Sequence, residues 1–391
     1  MTIRRILFVS HAPIENRYGA STSLRLLLEN YASSDVDLVV PRSIRRRSDL
    51  SGLAAQFPAV QNVYELSVPI DFGVLGIKLR LTGQAHQLLH RAYWQWDRLR
   101  FRELIKLNNY DLIHFNSPVL HPMIEPGLPA ITHIRDIIVD SQSPVIDKLA
   151  RRAGLVFIDT TTRRPFERVL DRIPSVVLNN PVDMTSISSQ PGISHPRLTP
   201  STTVYSIIGR VYEHKGVDLV IQAFREGASE DSLLLIVGDG DARYGARCRS
   251  IAENDPRIVF WGEDDDVKKI YASTHYVVRG DPQGCIGRTV YEGLYSGCQV
   301  VMPGLGEPDF LFEADRFRDR ILLYRSRDIR SLSTLLRSCK RPSTEDRVGL
   351  SNVGEYVRDF TDFLGRCLEE SVDARFGKSK REGQIPTSTY R

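Results

Sequence analysis

Short apolar runs rich in β-branched residues alternate with longer amphipathic stretches from the start of the chain, and after a break the alternation begins again. Runs of this kind suit strands buried on both faces, and the amphipathic stretches supply the crossover helices that join parallel strands. The pattern predicts two Rossmann-like, doubly wound α/β units in series rather than one large sheet. In the first half the strand candidates are Ile6 to Val9, Val36 to Val40, Leu112 to Phe115, Ala130 to His133, Leu155 to Ile158 and Val176 to Leu178, with a helix from about Ser21 to Tyr31. The stretch from Asp183 to Thr202 is rich in Ser, Thr and Pro and lacks periodicity, which marks a linker. Beyond it come Val204 to Ile208, Leu233 to Val237, Ile258 to Trp261, Tyr276 to Arg279 and Gln299 to Met302, with helices near Gly216 to Glu226, Asp266 to Ser273 and Thr289 to Ser296. The expected division is a first domain over 1–183, a linker over 184–203, a second domain over 204–350, a last helix over 351–370 and a polar, mobile tail over 371–391.

Composition excludes several classes. Lys and Arg number 52 against 48 Asp and Glu, a formal charge of +4, too balanced for a dedicated nucleic-acid binder, so no nucleic-acid partner is expected. The cysteines, Cys248, Cys285, Cys298, Cys339 and Cys367, contain no C-x-x-C pair and suit neither a disulfide framework nor a zinc site. The apolar run before His11 is too short for a secretory segment, and no window approaches a membrane span. A cytoplasmic protein is expected, with contact at the inner membrane surface left open. From Gln84 to Lys106, Leu88, Leu89, Tyr93, Trp96, Leu99 and Ile105 fall at helical spacings beside Arg91, Arg98, Arg100, Arg102 and Lys106, and Arg45, Arg46 and Arg47 precede them. Two readings fit: a basic amphipathic helix lying on an anionic membrane, or a domain helix with a solvated basic face.

Two α/β units in series enclose a cleft, and ligands of open parallel sheets bind at the carboxyl ends of the strands. One strand of the second unit runs into Gly209-Arg210, then a turn, then Lys215-Gly216 at a helix start, placing two cations and a helix N-terminus at that edge. That combination suits a diphosphate, although surface cations are common. A second glycine-bearing loop, Asp281 to Thr289, leads into a helix whose first turn offers backbone amides near Gly287, Arg288 and Thr289. Glu292 follows about one turn later, where it is either a solvated carboxylate or an acceptor for ribose hydroxyls.

Three ordered motifs, G-R-x4-K-G from Gly209 to Gly216, the strand and turn Leu235 to Gly240, and G-R-x3-E-x4-G from Gly287 to Gly297, resemble the donor-binding domain of the GT-B glycosyltransferases, specifically retaining family 4. The resemblance implies a GT-B architecture in which Arg210 and Lys215 bind the donor diphosphate, Glu292 holds the ribose, and Ile286 to Thr289 contribute backbone donors. Family members usually carry a glutamate that contacts the donor sugar where this chain has Gly284. Its loss implies a different sugar, replacement by Asp281 or Gln283, or weak or absent catalysis. In the first half, Gly19 resembles the family glycine near the donor phosphates, and a plain strand-to-helix turn explains it equally well. Asn116 and His133, with Arg135 as an alternative to His133, stand at strand ends where the family often has histidines that meet the transferred sugar or the acceptor. Asn179 to Asp183 resembles the family N-P-V-D at the exit from the acceptor domain.

On this reading the cations Arg210 and Lys215 and the amides of the loop at Gly287 offset the charge of the departing diphosphate, so a metal-independent transferase with no resident cofactor is expected. Its donor would be a UDP- or GDP-linked sugar, its acceptor a saccharide or lipid-linked hydroxyl in glycolipid or polysaccharide assembly, and its stereochemistry retaining. The alternative is a nucleotide-sugar-binding protein of the same fold with little or no transfer activity.

Overall fold

The computed structural model describes residues 3–15, 19–42, 49–68, 73–74, 77–78, 84–124, 129–151, 153–281, 287–304, 316–343 and 347–375. Two parallel sheets carry the chain. The first has seven strands: β1 Arg5–Val9, β2 Asp35–Pro41, β3 Val60–Leu66, β4 Leu112–Phe115, β5 Ala130–Ile134, β6 Gly154–Phe157 and β7 Ser175–Val177, in the spatial order β3-β2-β1-β4-β5-β6-β7. The second has six: β8 Thr203–Ile208, β9 Ser232–Val237, β10 Ile258–Gly262, β11 Tyr276–Val278, β12 Gln299–Gly304 and β13 Ile321–Arg325, in the order β10-β9-β8-β11-β12-β13. In both sheets the order reverses beside the first strand, between β1 and β4 and between β8 and β11. Such a switch point opens a crevice at the carboxyl edge.

Burial on both faces explains the apolar runs. Ile6 and Phe8 pack with Leu24, Leu27 and Leu28 of the helix Gly19–Asn30, while Leu7, Val9, Ile113 and Phe115 pack with Trp94 and Phe101 on the other face. The last helix, Val353–Arg375, places Tyr356, Phe360, Phe363, Leu364 and Cys367 in the core of the first sheet. It runs five residues past the expected start of the tail, since neither Gly nor Pro interrupts the sequence between Arg366 and Arg375; residues 376–391 lie outside the described ones. The start of the segment expected as a linker is packed: Met184 and Ile187, together with Val182 just before it, enter the core beneath β11 and β12. There the outgoing and returning chains hold each other, with Met184 N donating to Leu350 O at 2.9 Å and Val182 N to Asn352 Oδ1 at 2.7 Å.

The helix Gln84–Asn108 carries two apolar faces. Trp94 and Phe101 are buried, whereas Leu88, Trp96, Leu99 and Leu107 are exposed, with Arg91, Arg102 and Lys106 exposed around them. Arg45, Arg46 and Arg47 lie outside the described residues. No helix among the described residues is long and apolar enough to cross a membrane.

Candidate active site

At the carboxyl edge of the second sheet, backbone contacts that only glycine permits decide where the cations sit. The turn Glu213–Lys215 ends in Gly216, whose φ of 59° is left-handed, and Gly216 starts the helix Val217–Gly227. A Cβ on Gly216 would stand 2.2 Å from the carbonyl oxygen of Gly280, and one on Gly280 equally close to that of Gly216. This mutual approach of the loops after β8 and β11 brings Lys215 Nζ to 3.3 Å from Asp281 Oδ2. Asp281 is buried and also accepts from Arg279, at 2.7 Å from Nε and through a second bond from Nη2. Burial alone would raise the Asp281 pKa, but Arg279 and Lys215 outweigh it and hold the carboxyl below its ordinary range. Asp281 therefore positions Lys215 and is occupied by cations, rather than standing free in place of the family glutamate. Arg210, exposed at the end of β8, donates from Nη1 to Tyr212 Oη at 3.1 Å with its guanidinium over that ring.

Gly287 caps the helix Arg288–Tyr295, and Arg279 lies beneath it: a Cβ on Gly287 would meet Arg279 Nη1 at 2.8 Å. Thr289 is half-buried in the first turn; Gly284 and Ile286 lie outside the described residues. Glu292 is buried with both oxygens engaged, Oε1 accepting from Arg288 Nε at 2.6 Å and Oε2 from Tyr271 Oη at 2.8 Å. A ribose on this carboxylate would have to share it with those donors. Burial and the Glu292 charge together push the Tyr271 hydroxyl well above its ordinary pKa, so it stays a proton donor.

Arg288 reaches further than the spacing suggests. Its Nη1 donates to Ser23 Oγ at 2.9 Å and to Pro181 O at 2.8 Å, both outside the second sheet. A Cβ on Gly19 would lie 3.8 Å from Arg288 Cβ, an ordinary contact. The N-termini of helices Gly19–Asn30 and Arg288–Tyr295, one from each domain, therefore meet across the cleft, and both carry positive dipole ends.

From the first sheet, β4 and β5 contribute a buried cluster. Arg135 donates from Nε to Asn116 Oδ1 at 2.9 Å and from Nη1 to Asn180 Oδ1 at 2.8 Å, and its Nη2 lies 3.3 Å from His133 Nδ1. Asn180 also accepts from Ser23 Oγ at 3.0 Å, so one chain of hydrogen bonds runs Arg288, Ser23, Asn180, Arg135. His133 is fully buried behind Arg135, and its Nε2 has no partner among the described residues. Burial and then the Arg135 charge push its pKa far down, so the ring is neutral. Of the two alternatives at this strand end, Arg135 is the one in the network that reaches the domain contact, and His133 backs it.

Several of these residues carried no sequence signal of their own. Ser23, Tyr271 and Arg279 are ordinary in context, and Asn180 was marked only through the N-P-V-D segment. Among the described residues no three His, Cys, Asp or Glu side chains come together as a metal site. Beside Asp136, a largely apolar cavity of about 410 Å³ opens in the first domain, lined by Trp94, Pro118, Val119, His121 and Ile138.

Residues 202–337 match the family of glycosyl transferases group 1, so the second domain carries that family's pattern. A 72-residue stretch is 33% identical to glycogen synthase from Desulfitobacterium hafniense, covering 18% of this chain and 15% of that relative's length. Over the whole fold the chain is similar to Anabaena HepE in complex with UDP and glucose, at 15% identity, 94% of each chain and a TM-score of 0.58. It is also similar to sucrose-phosphate synthase from Thermosynechococcus elongatus, at 14% identity, 95% of this chain, 94% of that one and a TM-score of 0.63. The architecture is that of the GT-B glycosyltransferases.

Proposed function

Starting from a group 1 glycosyl transferase domain within a GT-B fold, we propose that this protein transfers a sugar from a UDP- or GDP-linked donor to a hydroxyl acceptor, with retention at the anomeric carbon. The observation that carries this reading is the meeting of the two helix N-termini at Gly19 and Arg288, next to the glycine-built loop that holds Lys215. The donor diphosphate would lie between them. As the glycosidic bond breaks, negative charge grows on the leaving diphosphate; Arg210, Lys215 and the amides at Gly287 to Thr289 would offset it inside a closed cleft. Lys215 is pinned by Asp281 before the donor arrives, which lowers the reorganisation needed at the transition state. On this reading the residues themselves meet the diphosphate charge, and the nucleotide sugar is a substrate, with no resident cofactor or metal required.

The acceptor would approach from the first domain, where the apolar cavity beside Asp136 suits the hydrocarbon part of a glycolipid. The outward face of the helix Gln84–Asn108, apolar at Leu88, Trp96, Leu99 and Leu107 and fringed with cations, fits peripheral contact with an anionic inner membrane surface. A cytoplasmic enzyme in glycolipid or polysaccharide assembly follows. No described side chain stands out as a covalent nucleophile, so the acceptor hydroxyl would attack on the face the diphosphate leaves. NMR of the product tests this: the donor's anomeric configuration is expected, and an inverted product would contradict it. One observation favours a second reading, a nucleotide-sugar-binding protein with little turnover: Gly284 replaces a carboxylate, and both Glu292 and Asp281 are occupied by internal donors. Donor binding without turnover across a broad acceptor panel would select it.

A further inference from the structure

Three arginines are buried among the described residues, and they differ in one respect. Arg257 has Asp255 Oδ2 at 2.8 Å, and Arg279 is bridged to Asp281. Arg135, 8% exposed, has no carboxylate within ion-pairing distance among the described residues: it donates to two amide oxygens and faces an imidazole nitrogen, while the Tyr356 hydroxyl and, from further off, the Asp136 carboxylate also favour its charge. Neutral acceptors satisfy a guanidinium's hydrogen bonds but offset its charge less than a bridged carboxylate does, and burying a charge without such a partner is costly: burial outweighs the help of Tyr356 and Asp136 and pulls the Arg135 pKa below its ordinary value. Positive potential also gathers on the side facing the second domain. Arg288 is linked to Arg135 through Ser23 and Asn180, its own charge is matched by Glu292, and the N-terminus of helix Gly19–Asn30 stands at the same network. Two buried imidazole nitrogens, His11 Nδ1 and His133 Nε2, have no partner among the described residues, and both rings lie close enough to Arg135 for its charge to depress their basicity.

We infer that Arg135 is a specificity-determining residue for a substrate that carries an anionic substituent, a carboxylate or a phosphate monoester, on the sugar at the reacting end. The inference rests on the transferase reading above and narrows it: the diphosphate is assigned to Lys215 and Arg210 in the second domain, so the charge at Arg135 answers a different anion, one reached from the first domain. That anion belongs either to the donor's sugar or to the acceptor. Planar two-point bonding to a carboxylate or phosphate is the geometry a guanidinium offers, and the neutral imidazoles beside it can supply the remaining contacts.

Calorimetric titration of the full chain separates the two sources. In the donor arm UDP-glucuronate is compared with UDP-glucose; in the acceptor arm glucuronate and glucose-6-phosphate are compared with glucose, each with and without UDP. In at least one arm the anionic member is expected to bind about tenfold tighter or more. That preference should vanish in Arg135→Gln, survive in reduced form in Arg135→Lys, and weaken with ionic strength in the wild type, a comparison that stands even where a variant does not fold. Equal binding of anionic and neutral members in both arms overturns the inference, as does a preference that persists in folded Arg135→Gln or is abolished only by Lys215→Ala. Failure of every nucleotide to bind overturns the transferase reading instead, while the arms run without UDP still judge the anion site.

Discussion

Replacing Gly216 by alanine puts the glycine-built loop to a quantitative test. At φ 59° and ψ 33° an alanine carries a left-handed penalty of about 1 kcal/mol. Its Cβ would stand 2.2 Å from Gly280 O and 2.7 Å from Gly280 C, both backbone atoms that cannot rotate away. An ordinary carbon–oxygen contact needs about 3.3 Å, so the loops after β8 and β11 must separate by about 1 Å. That movement stretches the 3.3 Å Lys215–Asp281 contact beyond hydrogen-bonding range. Strain and lost contacts together should cost about 2–4 kcal/mol. Gly245 supplies the control: it lies inside the helix Ala242–Ala252 with nothing within 4 Å of an added Cβ, so Gly245→Ala should stabilise by about 0.5–1 kcal/mol. Parallel urea denaturation reads the two opposite signs, and titration with UDP should show Gly216→Ala binding at least about tenfold more weakly. A Gly216→Ala protein as stable as the wild type, with unchanged nucleotide affinity, would refute the reasoning.

Other outcomes follow from the same contacts. Arg288→Ala removes the bonds to Ser23 and Pro181 and leaves Glu292 buried with Tyr271 alone, so stability should fall by about 3 kcal/mol and proteolysis near Asn180 should accelerate. His114 is pushed down to about 3, by burial first and then by Arg135, so the unfolded chain takes up this proton near pH 6.5 while the native state does not. Its contribution is therefore fully present above pH 6.5 and is lost as the pH falls, by about 2 kcal/mol at pH 5. His114→Phe, in a site where the ring already packs at 4.8 Å from Phe8 and 5.3 Å from Phe360, should flatten the loss of stability between pH 7 and 5; an unchanged acid limb would count against the buried-neutral assignment.

What could be read in advance follows the physics of each element. β4 is Leu-Ile-His-Phe, buried on both faces, and its apolar run coincides with the observed strand. β3, Val-Gln-Asn-Val-Tyr-Glu-Leu, is an edge strand with exposed polar residues and has no such run; β13, Ile-Leu-Leu-Tyr-Arg at an edge of the other sheet, does carry a short apolar run, which is not among the strand candidates. The helix Ala242–Ala252 was also missed, because its arginines and glycine leave little apolar periodicity to detect. In the site, Lys215 and the start of the helix at Arg288 were legible because glycine and charge at a strand-to-helix turn have a local meaning. The pairing of Lys215 with Asp281, and the reach of Arg288 to Ser23 and Pro181, join residues remote in sequence and depend on how the loops and domains meet. The outward apolar stripe of the helix Gln84–Asn108 was visible as periodicity, but the pattern did not separate it from the core face at Trp94 and Phe101.

The central claim is that the cleft is a nucleotide-sugar site centred on Lys215 and Glu292. Calorimetric titration with UDP, GDP and ADP, run on the wild type and on Lys215→Ala and Glu292→Ala, tests it most directly. Selective binding of one nucleotide, weakened in both variants while circular dichroism shows them folded, is the predicted result. A folded wild type that binds none of the three would contradict the account and leave only the architecture standing.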